Sequence, residues 1–274
     1  MKIQLLSDLH LETQPDFQPA PAPEAELLVL AGDVGSYQRG SALQDTDFGL
    51  GRFAGWPVPV LFVPGNHEYD ALDFDATHAR LRATCERLGL LWLERETRVL
   101  HGVRFVGTTL WTDFDALVPH GPTVTLAEQL TAREKAFRAG NHYLRMAAST
   151  RAGQPFLAAE MREHALLCQA WLRAALAEPF DGPTVAVTHF APSLRCADPR
   201  YGLTPGTAGF CNALDDLLPR ADLWLHGHLH CPIDWRAGRC RVVANPLGYA
   251  AKGEQAAFVP QFTVEVERAP AAAA

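Results

Sequence analysis

The 274-residue chain is 48% hydrophobic and 20% charged, a balance that excludes disorder as its dominant state and allows a full core at the upper size of one domain. Its 24 basic against 31 acidic residues leave a formal net charge of −7, which speaks against a protein built to coat nucleic acid, where basic surface supplies most of the affinity. The N-terminal apolar segment is too short for a secretory signal, no apolar run reaches the length of a membrane span, and six scattered cysteines form no C-x-x-C pair. The expectation is a cytoplasmic protein with free thiols and no membrane partner.

Residues 2–6 and 27–31 read as short buried strands, each ending at a polar cluster, and 58–63 as a third, closed by Pro64-Gly65. A Gly-rich stretch between the second and third carries a predicted helix over 42–53. Residues 73–88 read as a helix, with Phe74, Leu81, Cys85 and Leu88 at helical spacing and Gly89 as its stop. Sheet follows at 91–93, 97–100 and 103–106, the last two joined across His101-Gly102 as a hairpin. Over 111–178 the pattern is helical, with breaks at 119–122 and 153–155, and strands return at 184–188, 222–226, 241–244 and 262–266. Strand and helix thus alternate around a helical insert, which predicts one layered α/β domain over 1–274, parallel in its first half. The alanine-rich end from Arg268 reads as a frayed tail.

Ligands of an open α/β sheet bind beyond the carboxyl ends of its strands, so the residues there carry the chemistry. The first strand is followed by Asp8-Leu9-His10, the second by Gly32-Asp33 and the third by Gly65-Asn66-His67-Glu68. Later strands run into Thr188-His189 and His226-Gly227-His228-Leu229-His230. Any one of these arises often by chance; all five at strand ends do not. Carboxylate, imidazole and amide together suit manganese first, or iron, zinc or cobalt, better than calcium or magnesium, which take oxygen shells. Asp8, His10, Asp33, Asn66, His189, His228 and His230 are more donors than one tetrahedral site uses. Two ions sharing a carboxylate use them all and keep positions open for water. Alternation at a strand end is expected to aim both members of Asp8-x-His10 and of His228-x-His230 the same way.

In this order the five motifs, over residues 8–230, resemble the signature of the calcineurin-like metallophosphoesterases. The resemblance implies a four-layer α/β/β/α sandwich, two mixed sheets flanked by helices, around a binuclear centre. It implies that Asp8, His10, Asp33 and His230 hold one ion, and that Asp33 as the bridge, Asn66, His189 and His228 hold the other. His67 is implied as a phosphate contact and proton donor to the leaving oxygen, with Asn66 beside it on the substrate. Two departures stand out. Many relatives carry a second aspartate in G-D-x-x-D-x-G, where this chain reads Gly32-Asp33-Val34-Gly35-Ser36-Tyr37. Tyr37 lies four residues after Asp33, one too far for the tyrosine ligand of the purple acid phosphatases.

Glu68 reads equally as a residue that orients His67 and as an exposed glutamate after a turn, and His226 as support behind the neighbouring ligands. In the insert, Arg138, His142 and Arg145 share one helical face. The expectation is a cap over the metals whose Arg138 and His142 contact an anionic substrate. The expected function is metal-dependent hydrolysis of a small phosphorylated substrate, a phosphodiester or nucleotide-type ester, through a metal-bridging hydroxide. A nuclease or protein phosphatase on the same site, and a non-catalytic scaffold of the same fold, are the alternatives.

Overall fold

Side chains alternate across a strand, and the second and third strands are apolar on both faces, so their sheet needs cover on two sides. In the computed structural model, which describes residues 1–267, this cover is a second sheet on one side and helices and loops on the other. The alanine-rich tail lies outside the described residues.

Four strands, β1 (Lys2–Leu6), β2 (Leu27–Ala31), β3 (Val60–Val63) and β4 (Leu91–Trp92), pair in parallel in that order. The hairpin of β5 (Glu96–Leu100) and β6 (Val103–Thr108) begins the second sheet and turns at His101 and Gly102, both with positive φ, as a tight hairpin of right-handed twist demands. β7 (Thr150–Arg151) and β8 (Gln154–Pro155) form a separate small hairpin. β9 (Thr184–Thr188), β10 (Leu223–His226), β11 (Ile233–Ala237) and β12 (Cys240–Ala244) complete the second sheet, in the order β11-β12-β10-β9-β6-β5. β13 (Thr263–Glu265) returns to the first sheet, antiparallel to β1.

Ile3, Leu5, Val29 and Val63 of the first sheet meet Phe105, Val185, Val187 and Leu225 of the second in a sealed apolar layer. Outside the first sheet lies α1 (Phe74–Leu88), capped by Asp73, which accepts from the amide of Ala76 at 3.1 Å, and stopped by Gly89 at φ 73°. Outside the second lies α3 (Ala158–Ala177), which packs against β6 and buries Ala165, Cys168 and Leu172. The fold is therefore the expected sandwich of two mixed sheets between helices. No helix among the described residues is long and apolar enough to cross a membrane.

Two local expectations are corrected. The helix expected over 42–53 shrinks to a single 3₁₀ turn at Leu50–Phe53, because the Asp45 carboxylate takes the amides of Asp47 and Gly49 that a helix would need. Of the stretch 111–178, residues 111–125 are not helical: Trp111 and Phe114 have positive φ, and Thr112 Oγ1 ties the segment to the carbonyl of Ala208 at 2.6 Å. α2 (Leu126–Ala147), which starts at a Thr125/Glu128 capping box, stands off the sandwich and fully buries only Ala136. α3 is a layer of the sandwich itself and no part of a cap.

His164 on α3 packs 4.4 Å from the Phe74 ring and 5.7 Å from that of Phe156. Burial, with Arg151 and Arg95 nearby, pushes its pKa down to about 4. The folded imidazole is neutral while the unfolded one gains a proton below about 6.5, so stability falls as pH drops from there to about 4 and this contribution is exhausted below. The loss from this group is on the order of 2–3 kcal/mol. His164→Phe should flatten that acid limb in urea melts taken across the window; an unchanged limb would clear His164 of the effect.

Candidate metal centre

The chain turns sharply where the strands of the site end. Asp8 (φ 53°), His10 (φ 46°), Asp33 (φ 55°), His228 (φ 74°) and His230 (φ 48°) all occupy the left-handed region that side chains avoid. These turns, and not the strand alternation expected from sequence, bring the pairs Asp8/His10 and His228/His230 round to one point. Each such residue costs about 1 kcal/mol or more, which neighbouring backbone bonds offset. The amides of Asp8 and His10 donate to the carbonyls of Gly32 and Asp33 at 3.0 and 3.1 Å, and the amide of His228 donates to Asp8 Oδ1 at 2.8 Å. Gly65 has no side chain because a Cβ there would collide with Asp33 Oδ1.

Donor atoms of Asp8, His10, Asp33 and His230 lie within 4.8 Å of one another, as do those of Asp33, His189 and His228. Asn66 Oδ1 is 3.2 Å from His189 Nε2, so the seven donors singled out in the sequence meet in one place. Three imidazoles are held by their Nδ1 atoms on groups that can only accept. His10 is bound to Glu12 Oε1 at 2.9 Å, His230 to Glu254 Oε2 at 2.7 Å and His189 to the carbonyl of Ala31 at 2.8 Å. A proton on each Nδ1 aims Nε2 inward, where it serves as the ligand atom once it carries no proton of its own. His10 Nε2 and His230 Nε2 point at each other across 3.0 Å, as two nitrogens aimed at one ion would. Asp8 Oδ2 and His228 Nε2 are buried without any hydrogen-bond partner. Orphaned buried donors of this mixture fit a transition-metal site.

The charges point the same way. Burial works against the ionised form of Asp33, but His189 and His67 hold its pKa well below the usual carboxylate value. Asp8, equally buried, is brought down to about 2 by His230. His189 loses by burial and gains more from Asp33, ending at about 9. Burial pushes the pKa of His228 down.

Several supporting residues escaped the sequence reading. Glu68 is completely buried, not exposed, and does not touch His67; it accepts the amides of Asp33 (3.1 Å), Val34 (2.7 Å) and Gly65 (2.7 Å) and so clamps two ligand loops together. Asp70 does the orienting instead, with Oδ2 2.6 Å from His67 Nδ1 and 3.4 Å from Ser36 Oγ. The carboxylate missing from the Gly32–Tyr37 run is thus matched by one from the loop of His67. Tyr37 turns away to Asp45 at 2.8 Å, and Tyr249 stacks on His10 with ring centroids 4.2 Å apart. His226 is buried behind the centre, its Nδ1 3.0 Å from the carbonyl of Gly227. The signal for Glu12 and Asp70 was their spacing, two after His10 and three after His67; Glu254 had none.

A cavity of about 710 Å³ opens over the cluster, with Asn66, His67, His228 and His230 on its floor and Gly140, Tyr143, Leu144, Met146 and Ala147 of α2 on one wall. Arg138 and His142 do not reach it, contrary to expectation. Gly140 lets Phe114 pack closely on α2, which turns the face of residues 138, 142 and 145 to solvent. There Arg138 pairs with Glu134 and the His142 ring lies against Tyr143.

Comparison with known proteins gives the site a family. A family model described as calcineurin-like phosphoesterase matches residues 1–232, which include all five motifs. The crystal structure of a phosphopantetheinyl hydrolase from Mycobacterium tuberculosis aligns at 23% identity with a TM-score of 0.67, covering 93% of this chain and 92% of that one. A putative 5'-nucleotidase from Staphylococcus aureus, in complex with alpha-ketoglutarate, aligns at 14% identity with a TM-score of 0.42, covering 89% of this chain and 48% of that one. No curated protein matches the sequence. With the family model spanning most of the chain and a buried Asp/His cluster fit for metal at its centre, the chain belongs to the calcineurin-like phosphoesterases and is a metal-dependent phosphoester hydrolase.

Proposed function

We propose that the chain hydrolyses small phosphodiesters or nucleotide-type phosphoesters at a two-ion centre. Asp8, His10, Asp33 and His230 hold one ion, and Asp33, Asn66, His189 and His228 the other. The observation that carries this reading is the shared Asp33, whose carboxylate belongs to both donor groups. Bound there, two divalent ions, manganese before iron, zinc or cobalt, supply positive charge for an anionic ester and lower the pKa of water toward neutrality.

The protein's own groups then have distinct tasks. The amide of His67 donates to Asp33 Oδ1 at 2.9 Å, which ties the loop of Asn66 and His67 to the bridging carboxylate. Asp70 takes His67 Nδ1 and leaves Nε2 for the substrate. Burial opposes a charge on this imidazole, yet Asp70 and Asp33 push its pKa up to about 10, so His67 carries a proton at neutral pH for the departing alkoxide. Asn66 presents its amide to the phosphate. A walled cavity and a net charge of −7 favour a small substrate over a nucleic acid. The fold it shares with a phosphopantetheinyl hydrolase puts a phosphopantetheinyl diester on the substrate panel beside nucleotides and p-nitrophenyl esters. The free cysteines support a reducing, cytoplasmic setting.

Chelation should abolish turnover of a p-nitrophenyl phosphodiester and manganese should restore it, with metal analysis approaching two ions per chain; full activity with one ion would rule the reading out. Because Asp33 holds the His189 pKa near 9, that imidazole must lose a proton before it can accept an ion. Manganese uptake at neutral pH should therefore release protons into a weak buffer, and apparent affinity should climb as pH rises toward 9.

Asp33→Ala should cost the second ion and nearly all turnover, more than Asp8→Ala or His230→Ala, since only Asp33 serves both groups. Wild-type kcat and metal content in Asp33→Ala would remove it as the bridge.

His67→Ala should keep both ions while kcat falls by ~10²–10⁴. The deficit should be smaller for a p-nitrophenyl ester, whose leaving group departs without a proton, than for an alkyl ester. Equal losses on both esters would leave His67 a positioning role only.

A further inference from the structure

Tyr143 and Met146 of α2 are 55% and 65% exposed, and across the same cavity Tyr201 is 69% exposed. Single apolar residues on a surface need no explanation, but these gather around one concave space with Leu144 and Phe210. That space is continuous with the floor of metal donors, so whatever covers the wall is attached to the group that reacts. The α2 part of the lining carries no charge. Arg200 at the rim is spent on Asp198, which it contacts at 2.8 Å through Nε and 2.6 Å through a terminal nitrogen. Lys252 lies over the ring of Tyr249, 4.7 Å from the ring centroid, and that ring stacks on His10. Among the described residues, the α2 lining itself offers no cation to a second phosphate or a carboxylate extending along it. Met146 on α2 and Met161 on α3, both lining the cavity, add thioethers that mould to more than one shape.

We propose that the wall of α2 and Tyr201 receives an uncharged, apolar arm of the ester. The substrates are then phosphoesters that carry an extended apolar group, in preference to sugar phosphates or polyphosphates. This rests on the two-ion reading for where the phosphate sits.

The test is a series of alkyl p-nitrophenyl phosphodiesters, methyl to hexyl, with the leaving group constant and a 5-carboxypentyl member of hexyl length. kcat/KM should rise at least about tenfold from methyl to hexyl, and the carboxylate should cancel the gain. Hexylphosphonate should likewise bind the metal-loaded protein at least about tenfold tighter than methylphosphonate. Tyr143→Ser/Met146→Ser should bring the hexyl-to-methyl ratio toward one, whereas Leu130→Ser, on the same helix but outside the cavity, should keep it. Equal kcat/KM along the series, or a carboxylated arm as good as hexyl, overturns the inference and leaves the two-ion reading standing. No turnover of any ester by protein loaded with two ions overturns both.

Discussion

Burying Asp8 and Asp33 next to each other is the constraint around which this fold is organised. Both are shut off from water, and each raises the cost of ionising the other. What makes the pair tolerable is imidazole, and much of the attraction crosses between layers: the two acids follow β1 and β2 of the first sheet, while His189 and His230 follow β9 and β10 of the second, with His67 adding to it from the loop after β3. The sealed apolar layer between the sheets sets the distance over which these charges act. Electrostatics and packing therefore depend on one another here; neither sheet would hold its half of the centre alone.

The second half of the arrangement is strain. Five donor-bearing residues sit at positive φ, a conformation that a free peptide visits only as a minor state. Glu68 answers part of this by accepting three amides from two loops, at the cost of a carboxyl whose pKa is pushed up to about 8 by burial and by Asp33. The outcome is a set of ligands whose geometry is fixed before any ion arrives, the condition under which a metal site is selective and a catalytic one is fast.

How much of this was legible in the sequence depended on how local its cause was. β1, β2 and α1 could be read because short apolar runs closed by polar clusters, helical apolar spacing and a terminal Gly89 are local signals that the tertiary structure obeys. The segment 111–125 could not, because Thr112 and Phe114 answer to Ala208 and Gly140, far along the chain. Assigning α3 to a cap failed for a related reason: an amphipathic pattern says that a face is buried, not against which layer. In the centre, the seven donors were visible because they cluster just past strands. Glu254 was invisible, since its bond to His230 closes over the whole β11–β12 hairpin and the turns after it, with no local spacing to mark it. Arg138 and His142 were misread because a charged helical face in sequence is the same whether it meets a substrate or water.

β13 has a bearing on how the chain is made. It is the final strand of the sheet that β1 begins, and the Met1 nitrogen donates to the carbonyl of Val266 at 2.8 Å while the Val266 amide returns a bond to Met1 at 2.9 Å. During synthesis on a ribosome, β1 through β4 emerge early and can assemble side by side, but the outer edge of β1 has no β13 to pair with until about 170 further residues have been added. An apolar strand with an open edge invites pairing with other chains. The nascent protein thus passes through a long interval in which its best-formed sheet is also its most adhesive, and residues 263–265 act as the closing seam that ends it.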